Sequence, residues 1–152
     1  MDINNVKPIT FHNAHLKPGM FKNFSGIKNN VNRNGERNFC LELDDDTAIE
    51  LKNQGWNVRF PEDDRYAPHL PVAVRFDQPR FYPKVFRVTS DNENQLDEET
   101  ISGLDRDEIE YVDITIRPRF WEKDSGEKGI KAYVQTMFVH INEDELMREY
   151  GR

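Results

Sequence analysis

The groups able to do chemistry in this sequence fall into four sets. Glu42 with the run Asp44-Asp45-Asp46 has the makings of a Mg²⁺ site for a nuclease, and Glu50-Leu51-Lys52 has the E-x-K spacing of some nuclease centres. The blander account is stronger. Carboxylates just ahead of a helix complement its dipole, and Glu50 and Lys52 fall on that helix with no strand aspartate to complete a site. His12 and His15 stand three apart in a proline-flanked stretch with no acid between them, which suits a solvated pair better than a metal site. Cys40 has no adjacent activating base and reads as a small core group. Phosphate-loop, dinucleotide, zinc-protease and nucleophile-elbow motifs are all absent. The sequence therefore predicts no catalytic residue, no metal and no cofactor.

The fourth set is cationic and aromatic, and its chemistry is binding. Successive side chains of a strand point to opposite faces. Arg59 thus opposes Trp56, Val58 and Phe60, and Arg75 opposes Val72, Val74 and Phe76. Arg117, Arg119 and Trp121 share a face opposite Val112, Ile114 and Ile116, and Lys131 shares one with Tyr133. In 84–88, Phe86 lies on the Lys84 side and Arg87 on the Val85 side. Cations follow phosphates, and rings stack on unpaired bases at ~1–3 kcal/mol each. A guanidinium does both. On this reading Arg59, Arg75, Arg87, Arg117, Arg119 and Lys131 hold phosphates, and Phe86, Trp121 and Tyr133 stack on bases. Lys28, Arg33 and Arg37, from the polar loop 27–37, form a mobile clamp. The competing account is that any half-exposed sheet turns polar residues outward.

Those residues need strands to hold them. Residues 19–26 read as a strand between glycines, Asn34-Gly35 as a hairpin turn, and 39–43 as the returning strand. A helix over 47–54 is capped by one of Asp44, Asp45 or Asp46 and stopped by Gly55. Further strands are expected at 56–60, 70–76, 84–89, 111–117 and 130–141. Between them lie a proline-bounded connection at 77–83, a turn or two of helix within 91–109, and an extended arm and turn at 118–129. The end, NEDELMREYGR, suits a short helix. Short strands with one early helix predict a mainly β chain: a small antiparallel OB-like barrel with one or two short helices. An immunoglobulin-like sandwich would want more even strand spacing and no helix. The expected layout is an irregular or edge segment at 1–18, the barrel at 19–142 and a short tail at 143–152.

Composition agrees with one domain: 152 residues, with 36% hydrophobic and 32% charged. The apolar stock is thin, but 10 Phe, 5 Tyr and 2 Trp bury much area per residue and argue against disorder. No window is long and apolar enough for a membrane helix, the N-terminus lacks a secretory pattern, and the single cysteine fits a reducing cytoplasm. The net charge of −7 is unevenly spread. Residues 91–113 carry −9, whereas 1–40 carry +4 and 59–90 and 114–133 carry +2 each. Local potential, not the total, governs an encounter over a Debye length of ~8–10 Å. The acidic stretch is either a solvated segment or a docking surface and internal competitor. The latter motivates an alternative reading, an acidic interaction module acting as a DNA mimic or as a replisome or virion adaptor.

Taken together, GMFKNFSG, RNFCLELDDD, GWNVRF, LDEETISGLDRDEIEYVDITIRP and GIKAYVQTMFVHINEDEL, spanning residues 19–146, resemble a family of tailed-phage OB-fold single-stranded DNA-binding proteins. The resemblance implies sequence-tolerant, non-catalytic coating of single-stranded DNA in phage replication or recombination, in the cytoplasm of an infected bacterium. It implies phage or host replication proteins as further partners, and it leaves the oligomeric state open. Many such proteins end in a long acidic tail; NEDELMREYGR departs from that pattern by finishing on Arg152, which puts tail-mediated recruitment in doubt.

Overall fold

The computed structural model describes residues 6–17, 22–30, 32–63 and 65–143. Its elements run β1 (Ile9–Ala14), β2 (Arg37–Glu42), α1 (Asp45–Gln54), β3 (His69–Val74), a 3-10 turn (Pro79–Phe81), β4 (Lys84–Val88), β5 (Glu93–Leu96), a second 3-10 turn (Ile101–Asp105), β6 (Ile109–Glu122) and β7 (Lys128–Ile141).

The longest ladder follows from the longest alternating stretch. β6 and β7 each run 14 residues and pair antiparallel along their length across the turn at 123–127. Their inward residues, Val112, Ile114, Ile116, Ile130, Ala132, Val134, Met137 and Val139, are buried in one core with Phe24, Phe39, Leu41, Trp56 and Leu70. β1 pairs with the outer edge of β6. The other edge of β7 is shared: β3 runs parallel to its first half and β4 parallel to its second. β2 closes on β3, and β5 on β4.

The sheet is therefore mixed rather than purely antiparallel. Two short strands arrive at β7 from crossovers, and a hairpin reading of neighbours in sequence does not anticipate them. Among the described residues its ladders do not close into a ring. Beyond β1 there is one bridge, Leu16 to Leu41, supported by Lys17 N–H donating to the Cys40 carbonyl and Glu42 N–H to the His15 carbonyl.

Three local expectations change. Residues 56–60 are not a strand, because Trp56 bridges Ile130 at the start of β7 while Arg59 bridges His69 at the start of β3. The segment ties two strands together instead of pairing along one. Within 91–109 the structure adds β5 to the 3-10 turn. Of the strand expected over 19–26, residues 19–21 lie outside the described residues, and 22–26 make a single bridge, Asn23 to Asn38. The tail helix, apart from Glu143, also lies outside. Helix α1 forms as expected: the Asp44 carboxylate accepts from Thr47 N–H at 2.7 Å, Asp45 and Asp46 occupy the first turn, and Gly55 ends it.

Candidate nucleic-acid interface

The β6–β7 register builds a row of cross-strand pairs on the outward face: Arg117 with Tyr133, Arg119 with Lys131, and Trp121 with Gly129. Period 2 forces this, since Ile116, Ile130 and Ala132 face the core. A Cβ on Gly129 would sit 2.7 Å from Trp121 Cζ2, so the indole lies against bare backbone that only glycine provides. Tyr133 is 4% exposed. Its ring is covered by Arg117 at 5.0 Å, Lys131 at 5.4 Å and Arg119 at 5.8 Å from the centroid. Arg117 also lies 4.4 Å from the Phe81 centroid, so its guanidinium sits between two rings. Tyr133 thus organises the cations that cover it, and its ring is not open to a base.

The charges of this cluster are unequally compensated. Lys131 pairs with Glu36 at 2.5 Å, and Arg75 forms two bonds to Asp77 at 3.1 and 2.6 Å. The Asp77 bonds, and then the Tyr133 hydroxyl, hold Arg75 firmly protonated. Arg117 is different. It is 8% exposed, donates to Gln78 Oε1 at 2.9 Å, leaves Nε without a partner, and has no ion-pair partner among the described residues. Burial pushes its pKa down; Tyr133 partly opposes this, and the like charges of Arg119 and Arg75 act with the burial. A buried, uncompensated cation is costly unless an anion completes it.

A cleft of about 490 Å³ continues the row past Trp121; Lys52, Arg59, Lys123 and Lys131 line it with one acid, Glu127. Lys123 sits 5.7 Å from the Trp121 ring and 3.5 Å from Glu127. Arg59 is exposed, and its backbone is fixed by the His69 bridge. Lys131 also lines a second cleft, of about 550 Å³, with Arg37, Arg75 and Gly35. Arg59, Trp121, Lys131, Arg119, Arg75 and Arg117 therefore share one side of the molecule. Lys52, Lys123 and Phe81 join them, although strand alternation did not single them out: one is on a helix, one in a turn, and one in a proline-bounded connection.

Other expected contacts are placed elsewhere. Arg87 lies on the Val85 side of β4, where Asp107 holds it through bonds of 2.8 and 3.1 Å. That bidentate pair raises the Arg87 pKa and occupies the fork that a phosphate would need. Phe86 is on the outward face but stacks on Phe138, centroids 4.8 Å apart.

Lys28 and Arg33 are exposed on a loop that is stitched internally rather than loose. Buried Asn32 donates to the carbonyls of Ile27 and Glu36 and accepts from Glu36 N–H. At the neck of the loop Gly26 and Gly35 both hold positive φ, and a Cβ on Gly26 would meet the Gly35 carbonyl at 2.7 Å. Arg37, at the end of that neck, packs over Phe76 and reaches Glu98 at 4.0 Å.

Several carboxylates of the acidic stretch also have internal work. Asp105 accepts from Phe24 N–H, Ser25 N–H and Ser25 Oγ, Asp107 holds Arg87, and Asp97 accepts from Glu99 and Thr100 N–H.

Among the described residues no group of three or more His, Cys, Asp or Glu is arranged to hold a metal ion. No described helix is long and apolar enough to cross a membrane. No curated protein matches the chain. Among solved structures, the single-stranded DNA-binding protein of bacteriophage Enc34 is similar in three forms. Its C-terminal truncation matches with a TM-score of 0.55, covering 89% of this chain and 86% of that one. Its complex with ssDNA matches at 0.54 over the same shares, and another structure of it at 0.53, covering 81% of that chain. Identity is 13% throughout, so these likenesses speak for the fold. Residues 6–152 match the family described as "putative phage ssDNA-binding domain", and the chain belongs to that phage ssDNA-binding domain family.

Proposed function

We propose that this protein coats single-stranded DNA during phage replication or recombination, in the cytoplasm of an infected bacterium, without catalysis and with little dependence on sequence. The protein acts by binding, as its family does. The strand lies along the outward face of β6–β7, on an OB-like barrel whose gap between β1 and β2 is spanned by the Leu16–Leu41 bridge. The observation that carries this reading is Arg117: a guanidinium 8% exposed, flanked by Arg75 and Arg119, with no acid among the described residues to complete it. A phosphate supplies that acid.

Arg59, Arg119, Lys131, Lys52 and Lys123 follow the backbone to either side, and Trp121 offers a base its half-buried indole. Lys131 and Arg75 exchange their carboxylates for phosphate oxygens, and Lys28 and Arg33 border the path as a fixed rim. Phage or host replication proteins are further partners of the coated strand.

Fluorescence titration with oligo(dT) at two salt concentrations tests this. Binding that weakens steeply with salt is expected, because each neutralised phosphate releases counterions. No binding at low salt would reject the proposal.

A further inference from the structure

A smaller cleft, of about 310 Å³, opens between the Pro79–Phe81 turn and the middle of β7, near the lower end of the ~300–1,000 Å³ typical of ligand sites. Three features of it bear on what it could hold. Phe81 is 52% exposed, and the Arg117 guanidinium lies over its ring, so the ring has an open face for another planar group. Tyr82 beside it is half exposed, its ring set edge-on against Phe76.

The cleft wall opposite is polar and uncharged. Gln135 is the extra residue of the bulge in β7, where Thr136 pairs with Thr115 but Val134 pairs with Ile116. A bulge re-aims a side chain, and here Gln135 lines the cleft with Thr136. The third feature is charge at the mouth: Lys84, side by side with Thr136 in the β4–β7 ladder, exposed Arg80 from the turn, and buried Arg117 with its unpartnered Nε.

We infer that this cleft is a base-recognition pocket: one unpaired nucleobase of the bound strand stacks on the open face of Phe81, turns its hydrogen-bonding edge to Gln135 and Thr136, and leaves its phosphate between Arg117 and Lys84. A carboxamide and a hydroxyl each donate and accept, so together they match the mixed donor and acceptor edge of a base, and neither offers charge to a phosphate. A phosphate-only track needs neither an amide re-aimed by a bulge nor a ring with an open face. The guanidinium–ring–base sandwich uses Arg117 twice, as the ion pair of the phosphate and as the cation behind the ring. The site gives an otherwise sequence-tolerant protein one position along its track where base identity is read. The inference rests on the DNA-coating reading above and deepens it.

The test uses the full chain and oligonucleotides carrying 5-iododeoxyuridine, which photocrosslinks to stacked aromatic residues, with the attachment site mapped by mass spectrometry. Crosslinks at Phe81 or Tyr82 are expected; crosslinks confined to Trp121 would overturn the pocket. Titrations with homopolymers of each base and with an abasic strand of equal length supply the second measurement. Phe81→Ala should reduce the advantage of base-bearing over abasic strands by about tenfold, and Gln135→Ala should change the ranking of the four homopolymers. Binding in which both variants keep the wild-type ratios rejects the pocket and leaves the coating function standing. A wild-type protein that binds no strand at all rejects both.

Discussion

The bulge at Gln135 divides the outward face of the β6–β7 ribbon into two halves of similar composition and opposite condition. Toward the 123–127 turn, Arg117, Arg119 and Lys131 crowd around buried Tyr133, Trp121 lies beyond them against Gly129, and neither Arg117 nor Arg119 has an ion-pair partner among the described residues. Toward the other end, polar and aromatic groups satisfy each other. Asp113 receives Asn13 N–H at 3.0 Å and His140 Nε2 at 3.1 Å, with His12 at 3.7 Å. Tyr111 stacks on His140, and Phe86 on Phe138. Both halves present rings and titratable groups, so residue type alone does not separate them. What separates them is that Arg117 and Arg119 have no ion-pair partner among the described residues, although Lys131 beside them holds Glu36, whereas the groups around Asp113 complement one another. The satisfied half stabilises the fold; the other half is the one proposed above to meet the DNA strand.

The sharpest way to break that comparison is to reverse one charge in the open half. Arg119→Glu should lower the affinity for oligo(dT) at low salt by about a hundredfold, since hydrogen bonds to charged groups contribute ~1.5–3 kcal/mol and the reversal adds repulsion. The neutral change Arg119→Gln should reduce the salt slope by about one counterion. His140→Ala, in the satisfied half, should shift neither quantity by more than about twofold, on the order of 0.4 kcal/mol. Equal losses from the two halves in the same titration would dissolve the distinction.

Rings provide the next contrast. Trp121→Ala should weaken binding by ~1–3 kcal/mol while leaving the unfolding midpoint nearly in place, because the indole lies on the surface of the glycine lane. Phe138→Ala should do the reverse, lowering stability by more than the ~0.5–1.5 kcal/mol of an aromatic pair and leaving DNA affinity alone. Urea denaturation beside the oligonucleotide titration separates the two outcomes.

Arg117 tests the same idea through stability. Arg117→Met removes a buried charge that has no ion-pair partner among the described residues, and it keeps much of the apolar stem. The variant should be as stable as the parent or up to about 1 kcal/mol more so, and it should bind DNA poorly. Large destabilisation on urea titration would mean that the guanidinium serves the fold.

Much of the open half was legible because it depends on period 2 alone. The alternation of 111–117 places Arg117, and its continuation places Arg119 and Trp121, while 130–141 places Lys131 and Tyr133. An antiparallel pair joined by a short turn then has to bring the two rows together. The parallel approach of β3 and β4 to β7 was not legible, since it depends on crossovers that leave no local pattern. The partners were not legible either. Asp77 lies two residues beyond Arg75, Asp107 lies 20 beyond Arg87, and Glu36 meets Lys131 from a loop nearly a hundred positions away. Alternation placed Arg117, Arg119 and Lys131 on one face, but it treated 56–60 as a strand, and it carries no sign of which cations already hold an acid. Phe81 escaped for a related reason, because a proline-bounded connection carries no periodicity to read.

The smallest expected effect is a pH dependence of the satisfied half. Burial alone would raise the Asp113 pKa, but the Asn13 N–H bond and the His140 contact outweigh it and hold the carboxyl below its ordinary value. A carboxyl depressed in the folded state contributes stability above its unfolded pKa of ~3.9, and that contribution disappears as pH falls through the lower folded value. Asp113→Asn should therefore be less stable than the parent at neutral pH, and the difference in urea midpoint should shrink as the pH is taken below about 4. Affinity for oligo(dT) at neutral pH should be the same for both proteins, because Asp113 lies on the far side of the bulge from Arg117. A difference in midpoint that stayed constant down to the acid limit would show that the carboxylate is not what holds this half together, and the contrast between the two ends of the ribbon would then rest on the stacked rings.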